Sequence, residues 1–177
     1  MIKRIWNNDK NETLLQAFLH DIEYLGGVHG LAHAQRVECL ALMLANTTIA
    51  VVDVDVLIWF AYVHDCQRKG DGMDFNHGPE AAEYVNVIRH TYLKELDDDQ
   101  ITLLKTACRL HTSTHRTGES TIDTCFDADR LDLPRVGIAT DPKRMATETG
   151  TKFAQRSYRE NLEEAECLDL LCEDLLI

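Results

Sequence analysis

Hydrophobic residues recur along most of the chain at the spacing of an amphipathic helix. In the clearest segment, Leu57, Phe60, Ala61 and His64 follow one another at i, i+3, i+4 and i+7. No segment shows the strict alternation of a half-buried strand. The pattern predicts helical segments over residues 11–25, 28–45, 53–65, 78–90, 96–111 and 125–134, a short helix near 135–145, and a final helix over about 148–175. The predicted fold is therefore all-α, a single-domain helical bundle over residues 1–177.

Polar residues stand where several of these helices should begin. A helix start favours a side chain that accepts hydrogen bonds from free backbone N–H groups. Asn11 or Thr13 is therefore predicted to cap the first helix, and Asp53 the third. Asn76 or Gly78 is predicted to cap the fourth helix.

The composition is that of an ordinary folded domain with an acidic surface. The chain has 177 residues, of which 45% are hydrophobic and only three are proline, which suits one domain with a sizeable core. Its formal net charge is −12. This charge argues against duplex nucleic acid as the main partner, because such binding needs a basic surface. A small anionic substrate is compatible with the charge if cations or a metal ion gather locally.

The cysteines and the apolar segments indicate a reducing compartment. Six cysteines are scattered along the chain without a CxxC pair, so we expect small buried hydrophobic residues and no disulfide scaffold. No signal peptide and no run of 18 or more apolar residues is visible. We therefore expect a cytoplasmic protein that does not enter a membrane. The sequence does not indicate its oligomeric state.

Several histidines lie where apolar helical faces begin or end. His64 closes the apolar segment that starts at Leu57, and Asp65 follows it directly. His33 lies on the apolar face of the second helix, and His111 closes that of the fifth. One histidine on such a face is usually an ordinary core residue. A buried imidazole beside a buried carboxylate is costly unless both are paired, and a metal ion would pair with both.

Three aspartates lie among apolar residues in the segment 125–134. Asp129 and Asp132 are three positions apart and would share a helical face, so one could bind a metal ion while the other, or Asp127, orients a ligand histidine. His77 stands at the start of the fourth helix. The candidate ligands are therefore His33, His64, Asp65 and Asp129, with His77 and His111 as additional ones. Nitrogen and oxygen ligands without thiolates suit one or two ions of Mn, Fe, Mg, Ni or Co.

The order of these residues resembles that of the HD-domain superfamily of metal-dependent phosphohydrolases. The ordered set is His33, then the pair His64-Asp65, then Asp129. The local sequences are similar too, since His33-Ala34-Gln35-Arg36-Val37 opens a helix and Asp127-Ala128-Asp129-Arg130-Leu131-Asp132 is a form common in bacterial members. The stretch His77-Gly78-Pro79-Glu80-Ala81-Ala82 looks like that of one bacterial subgroup. The resemblance covers about residues 28–135.

The resemblance implies an all-α core with metal held between helices by four ligands that match His33, His64, Asp65 and Asp129. Members with two metal ions add histidines in the interval where His77 and His111 lie, so these two are expected to hold a second ion. The nucleotidases of the family carry an acidic residue, the general acid, shortly after the HD pair. Arg68 occupies that region here, which implies phosphate binding by Arg68 or a different proton donor.

The expected function is hydrolysis of a small phosphate ester, perhaps a nucleotide, by metal-activated water. Asp65 and Arg68 are the expected catalytic residues, and Arg36, Arg68 and Arg116 are expected to bind the substrate. Two alternatives stay open. Some relatives with six such ligands hold two irons and are oxygenases, and a non-catalytic sensor would bind a nucleotide and signal through the acidic final helix.

Overall fold

The computed structural model describes residues 10–22 and 27–173, which are all-helical and contain no strand. The helices are α1 (Lys10–Asp21), α2 (Leu31–Thr47), α3 (Val54–Val63), α4 (His77–Ile88), α5 (Asp98–Leu110), α6 (Ser120–Leu131), α7 (Glu148–Ala154) and α8 (Tyr158–Glu173). Two short 3-10 helices, Leu133–Val136 and Pro142–Arg144, lie between α6 and α7. The prediction of a single all-α domain is confirmed.

Helix α3 lies at the centre of the bundle. Every residue from Asp55 to Val63 is buried, because α2, α5 and α6 all pack against α3. The sequence pattern predicted one buried face, whereas the structure buries the helix on all sides, as expected for a helix that is hydrophobic all round. None of the helices in the described ranges has both the length and the apolar character needed to cross a membrane.

The predicted caps agree with the structure in part. Asp53 caps α3, since its Oδ1 accepts a hydrogen bond from Val56 N at 3.1 Å. Asn76 occupies the N-cap position of α4, but its side chain makes no capping hydrogen bond. The prediction of Asn11 or Thr13 as the cap of the first helix is wrong, because both lie inside α1. Asn11 is buried and donates its side-chain amide to Asp55 Oδ2 at 3.0 Å. Asn11 therefore joins α1 to α3.

Some predicted helix boundaries also shift. The predicted end of the first helix, near residue 25, lies outside the described residues. Helix α2 begins at Leu31 because residues 27–30 form a turn, in which Gly30 N donates to Gly27 O. Helix α6 ends at Leu131, so Asp132 lies just beyond the helix that was predicted to carry it.

The prediction of one long final helix is wrong, because residues 155–157 divide it into α7 and α8. Ser157 Oγ accepts from Glu160 N at 3.2 Å, and the Glu160 carboxylate accepts from Ser157 N at 2.9 Å. This reciprocal pair is a capping box, and its Ser-x-x-Glu pattern is visible in the sequence. The break directs α8 against α2 and brings Tyr158 to Asp132.

Asp127 fastens the segment before α7 to helix α6. Its buried carboxylate accepts hydrogen bonds from Ala146 N at 2.6 Å, Thr147 N at 2.8 Å and Thr147 Oγ1 at 2.7 Å. Gly150 packs directly on this carboxylate, since a Cβ at position 150 would lie 2.1 Å from Asp127 Oδ2. Helix α7 can approach α6 this closely only with glycine at position 150.

Substitution of Gly150 by alanine is expected to destabilise the protein by about 1–3 kcal/mol. The added methyl group must displace the Asp127 carboxylate from its three hydrogen bonds. Thermal unfolding followed by circular dichroism will show a lower Tm. The matched control is Gly70→Ala, where an added Cβ meets no atom within 4 Å and the Tm should stay unchanged. Equal Tm values for Gly150→Ala and the wild type would contradict the described packing.

Candidate metal centre

Five helices bring ligand-type side chains to one place. His33 lies in the first turn of α2 and His77 is the first residue of α4, whereas His64 and His111 directly follow α3 and α5, and Asp129 lies in the last turn of α6. Asp65 follows His64. All of these residues are buried except Asp129, which is half-buried. The structure thus brings together all six residues that the sequence singled out as candidate ligands.

The first group consists of His33, His64, Asp129 and one oxygen of Asp65. The Nε2 atoms of His33 and His64 are 3.2 Å apart, and Asp129 Oδ1 lies 3.4 Å and 3.8 Å from them. Asp65 Oδ2 lies 3.6 Å from His33 Nε2 and 3.8 Å from His64 Nε2. Ligands about 2.1 Å from one ion lie about 3.0–3.4 Å from each other in octahedral or tetrahedral geometry. The distances of the two histidines from each other and from each carboxylate are therefore close to what one ion requires, and His33, His64 and Asp129 together form one set of ligand-type atoms within 4.8 Å of one another.

The second group consists of His77, His111 and the other oxygen of Asp65. The Nε2 atoms of His77 and His111 are 2.9 Å apart. Asp65 Oδ1 lies 3.2 Å from His77 Nε2 and 3.8 Å from His111 Nε2. The two groups therefore share a single carboxylate, with one oxygen of Asp65 facing each group.

Hydrogen bonds on the far side of each ring determine which nitrogen faces the centre. The pairs are His33 Nδ1 with Asp132 Oδ2 (2.7 Å), His64 Nδ1 with Phe60 O (3.0 Å), His77 Nδ1 with Asp74 O, and His111 Nδ1 with Cys108 O (2.7 Å). Carbonyl and carboxylate oxygens only accept, so Nδ1 carries the proton and a neutral ring presents the lone pair of Nε2. Four such lone pairs and two carboxylates converge, an arrangement that a cation would stabilise.

The pKa shifts in the first group favour the binding of a cation. Burial lowers the pKa of His64 to about 4, so its ring is neutral near pH 7. Burial raises the pKa of Asp65 and Asp129, but neighbouring histidines outweigh it and hold both below the usual range. Burial also lowers the pKa of His33, but hydrogen bonds to Asp129 and Asp132 raise it overall. Metal binding at His33 would therefore compete with protonation of the same ring.

Asp132 orients His33 and is itself held by two further residues. Its carboxylate is fully buried, accepts from Arg36 Nε at 2.8 Å and Arg36 Nη2 at 3.1 Å, and accepts from the Tyr158 hydroxyl at 2.5 Å. The sequence left Asp127 and Asp132 as alternatives for this role. Asp132 fills it, whereas Asp127 contacts the segment before α7.

Substitution of Asp132 by asparagine is expected to weaken metal binding about 10–100-fold. His33 would lose the carboxylate that fixes its ring and raises the basicity of Nε2, and Arg36 would lose its counter-charge. Competition against a chromophoric chelator measures the affinity. The control is Tyr158→Phe, which removes one donor to Asp132 without touching His33 and should have a smaller effect. Unchanged affinity in Asp132→Asn would rule out this role for Asp132.

Arg68 lies beside the second group, and its side chain is mostly buried. Its Nη1 is 3.1 Å from His77 Nδ1 and 3.8 Å from Asp65 Oδ1, and its Nη2 donates to Gly72 O at 2.8 Å. Its Nε is buried and has no hydrogen-bond partner in the described part of the chain. Arg68 therefore places a positive charge next to the shared carboxylate. Phosphate binding by Arg68 stays a prediction.

A cleft of about 790 Å³ adjoins both groups, since His111 and Asp129 are among the residues that line it. Arg116 does not line it, since its largely exposed side chain faces Asp123, with Arg116 Nε 3.7 Å from Asp123 Oδ2. Arg36 pairs with Asp132 instead. Substrate binding by Arg116 and by Arg36 stays a prediction.

Sequence reasoning missed the cations that do line the cleft, Arg130, Lys143 and Arg144. The adjacent pair Lys143-Arg144 in so acidic a chain was a visible signal. From the sequence, His29 was expected only to line the mouth of the pocket, whereas its Nδ1 lies 2.7 Å from Asp65 Oδ2. His29, His33 and Asp65 form a third set of ligand-type atoms within 4.8 Å of one another.

The helices and the His/Asp cluster together define an all-α protein with groups of side chains that could hold a metal ion. Comparison of the chain with family models, with curated proteins and with solved structures found no match. The HD-domain resemblance therefore stays a prediction that rests on the motif residues.

Proposed function

We propose that the protein is a metal-dependent hydrolase of small phosphate esters, nucleotides among them, built on the HD-domain plan. The observation that carries the proposal is the position of Asp65. Its Oδ2 faces the first group and its Oδ1 faces the second. A carboxylate shared in this way suits two ions about 3.5–4 Å apart, the separation found in two-metal phosphatases and nucleases.

The residues of the chain have separate tasks in this proposal. Divalent ions of Mn, Fe, Mg, Ni or Co would activate a water molecule and offset the charge that builds on the phosphoryl oxygens. Asp132 fixes the His33 ring, and the backbone carbonyls behind the other histidines fix theirs. Arg68, 3.8 Å from Asp65 Oδ1, adds a fixed positive charge for a bound phosphate. The cleft beside Asp129 offers room for the rest of the substrate.

A phosphate-release screen tests the proposed reaction. Metal-free protein is reloaded with each of the five metals in turn and incubated with nucleotides and sugar phosphates. We expect phosphate release that depends on the added metal and is absent from Asp65→Ala. If fully loaded protein releases phosphate from no substrate with any metal, the proposed reaction is wrong.

The oxygenase alternative is supported by the same set of four histidines and two aspartates. Iron-loaded protein would then consume oxygen in the presence of an organic substrate and release no phosphate. The sensor alternative predicts tight binding of a nucleotide without turnover. Oxygen uptake and isothermal titration calorimetry on the same metal-loaded samples separate these outcomes from hydrolysis.

A further inference from the structure

The cleft beside the metal centre contains cations that the candidate ligand set does not use. Its lining includes His111 and Asp129 from the two groups of ligands, and also Lys143 and Arg144 from the second 3-10 helix. A volume of about 790 Å³ lies within the range of ordinary small-molecule sites. One ligand in this cleft can therefore contact both the metal centre and the pair of cations.

Lys143 and Arg144 are available for a ligand. Both side chains are exposed, and within the described residues neither forms an ion pair or a side-chain hydrogen bond. The nearby carboxylate of Asp141 accepts from Lys143 N at 2.9 Å, so its contact is with the backbone. In a chain with a net charge of −12, two neighbouring unpaired cations at the wall of a cleft favour an anionic ligand.

The segment that carries the two cations is fastened on both sides. Arg130 Nη1 donates to Arg144 O at 3.0 Å and to His115 O at 2.8 Å, and Arg130 Nη2 donates to Thr114 O at 2.6 Å. On the other side, Asp127 accepts from Ala146 N at 2.6 Å. The guanidinium of Arg130 therefore donates its hydrogen bonds to backbone carbonyls of the protein. These bonds fix the position of the Arg144 backbone relative to α6.

We propose that Lys143 and Arg144 bind a second anionic group of the substrate, while the phosphoryl group of the substrate faces the metal centre. The substrate class is then a phosphate ester with a further phosphate or carboxylate at the far end of the cleft. This inference rests on the proposed function, since it needs the phosphoryl group at the metal centre. The segment after α6 would then determine which groups are accepted in the part of the substrate beyond its phosphoryl group.

A series of phosphonates of graded length tests the proposal by binding alone. Manganese-loaded protein is titrated calorimetrically with alkyl monophosphonates, with bisphosphonates of increasing linker length, and with the matching phosphonocarboxylates. We expect one linker length to bind about tenfold more tightly than the monophosphonate of the same length, the effect of a charge-assisted contact. Comparison of bisphosphonates with phosphonocarboxylates shows whether the second group is phosphate or carboxylate.

Charge-removing variants locate the second contact. The double variant Lys143→Gln with Arg144→Gln should lose the tenfold gain and bind the monophosphonates as the wild type does. The control Lys152→Gln removes a charge from an exposed residue of α7 that does not line the cleft and should keep the gain. Wild-type selectivity in the double variant overturns the inference.

The same titrations separate failure of the inference from failure of the proposed function. If monophosphonates bind only when metal is present but the second anion adds nothing at any length, the inference is wrong and the metal centre stands. If no phosphonate binds in a metal-dependent way, the proposed function is wrong, and the inference fails with it.

Discussion

Substitution of Asp65 by alanine will abolish both metal binding and any hydrolysis. Asp65 is the one residue shared by the two groups, with Oδ2 3.6 Å from His33 Nε2 and Oδ1 3.2 Å from His77 Nε2. Its loss would remove a ligand from each of the two proposed ions and the negative charge between the two groups. We expect the fall in metal affinity to exceed the about 100-fold cost of losing a residue that only orients a ligand, so that no metal is retained after dialysis. Metal content after dialysis and phosphate release measure the two effects.

A matched variant separates this effect from a general loss of negative charge. Asp99 is exposed in the first turn of α5, so Asp99→Asn should leave the metal content unchanged. Circular dichroism checks that the Asp65→Ala protein is folded. A folded Asp65→Ala protein with full metal content would show that the ligands have been assigned wrongly.

Substitution of Gly78 by alanine is expected to disturb the second group and spare the first. A Cβ at position 78 would lie 2.7 Å from Cys108 O and 3.2 Å from His111 Cε1. Because the first contact is with backbone, α4 must move away from α5, and His77 at the start of α4 must move with it. We expect the affinity for the second ion to fall about 10–100-fold, the effect of misplacing a ligand, while the first ion still binds.

Metal titration of the variant gives the measurement. Calorimetry with Mn²⁺ should show two binding events in the wild type and one at the original affinity in Gly78→Ala. The control is Gly72→Ala, where an added Cβ meets no atom within 4 Å, and two events are expected. Equal loss of both events in Gly78→Ala would mean that the two groups do not form separate sites.

The sequence predicts which residues meet at the metal centre because the spacing of apolar residues along each helix indicates which of its positions are buried. His64 and His111 follow apolar helical faces, and a polar residue at such a position must find a partner inside the protein. The periodicity could not predict that one oxygen of Asp65 faces the first group and the other faces the second group. Which oxygen faces which histidine depends on the packing of α4 and α5 against α3, and no local pattern records this.

Contacts between distant segments account for most of the differences from the predictions. The pairing of Arg36 with Asp132, 96 residues further along the chain, was not predicted; substrate binding by Arg36 stays a prediction. Arg130 and Asp127 fasten the segment of Lys143 and Arg144 through backbone atoms, which carry no sequence signal. The break between α7 and α8 has a different origin, because the capping box of Ser157 and Glu160 is visible in the sequence as a Ser-x-x-Glu pattern.

Anomalous diffraction from crystals soaked in manganese chloride tests the central claim most directly. If the two groups hold metal ions around a shared carboxylate, the difference map will show two peaks about 3.5–4 Å apart. One peak will lie among His33, His64 and Asp129, and the other beside His77 and His111, with one oxygen of Asp65 bound to each. A map without any peak at these residues would contradict the claim.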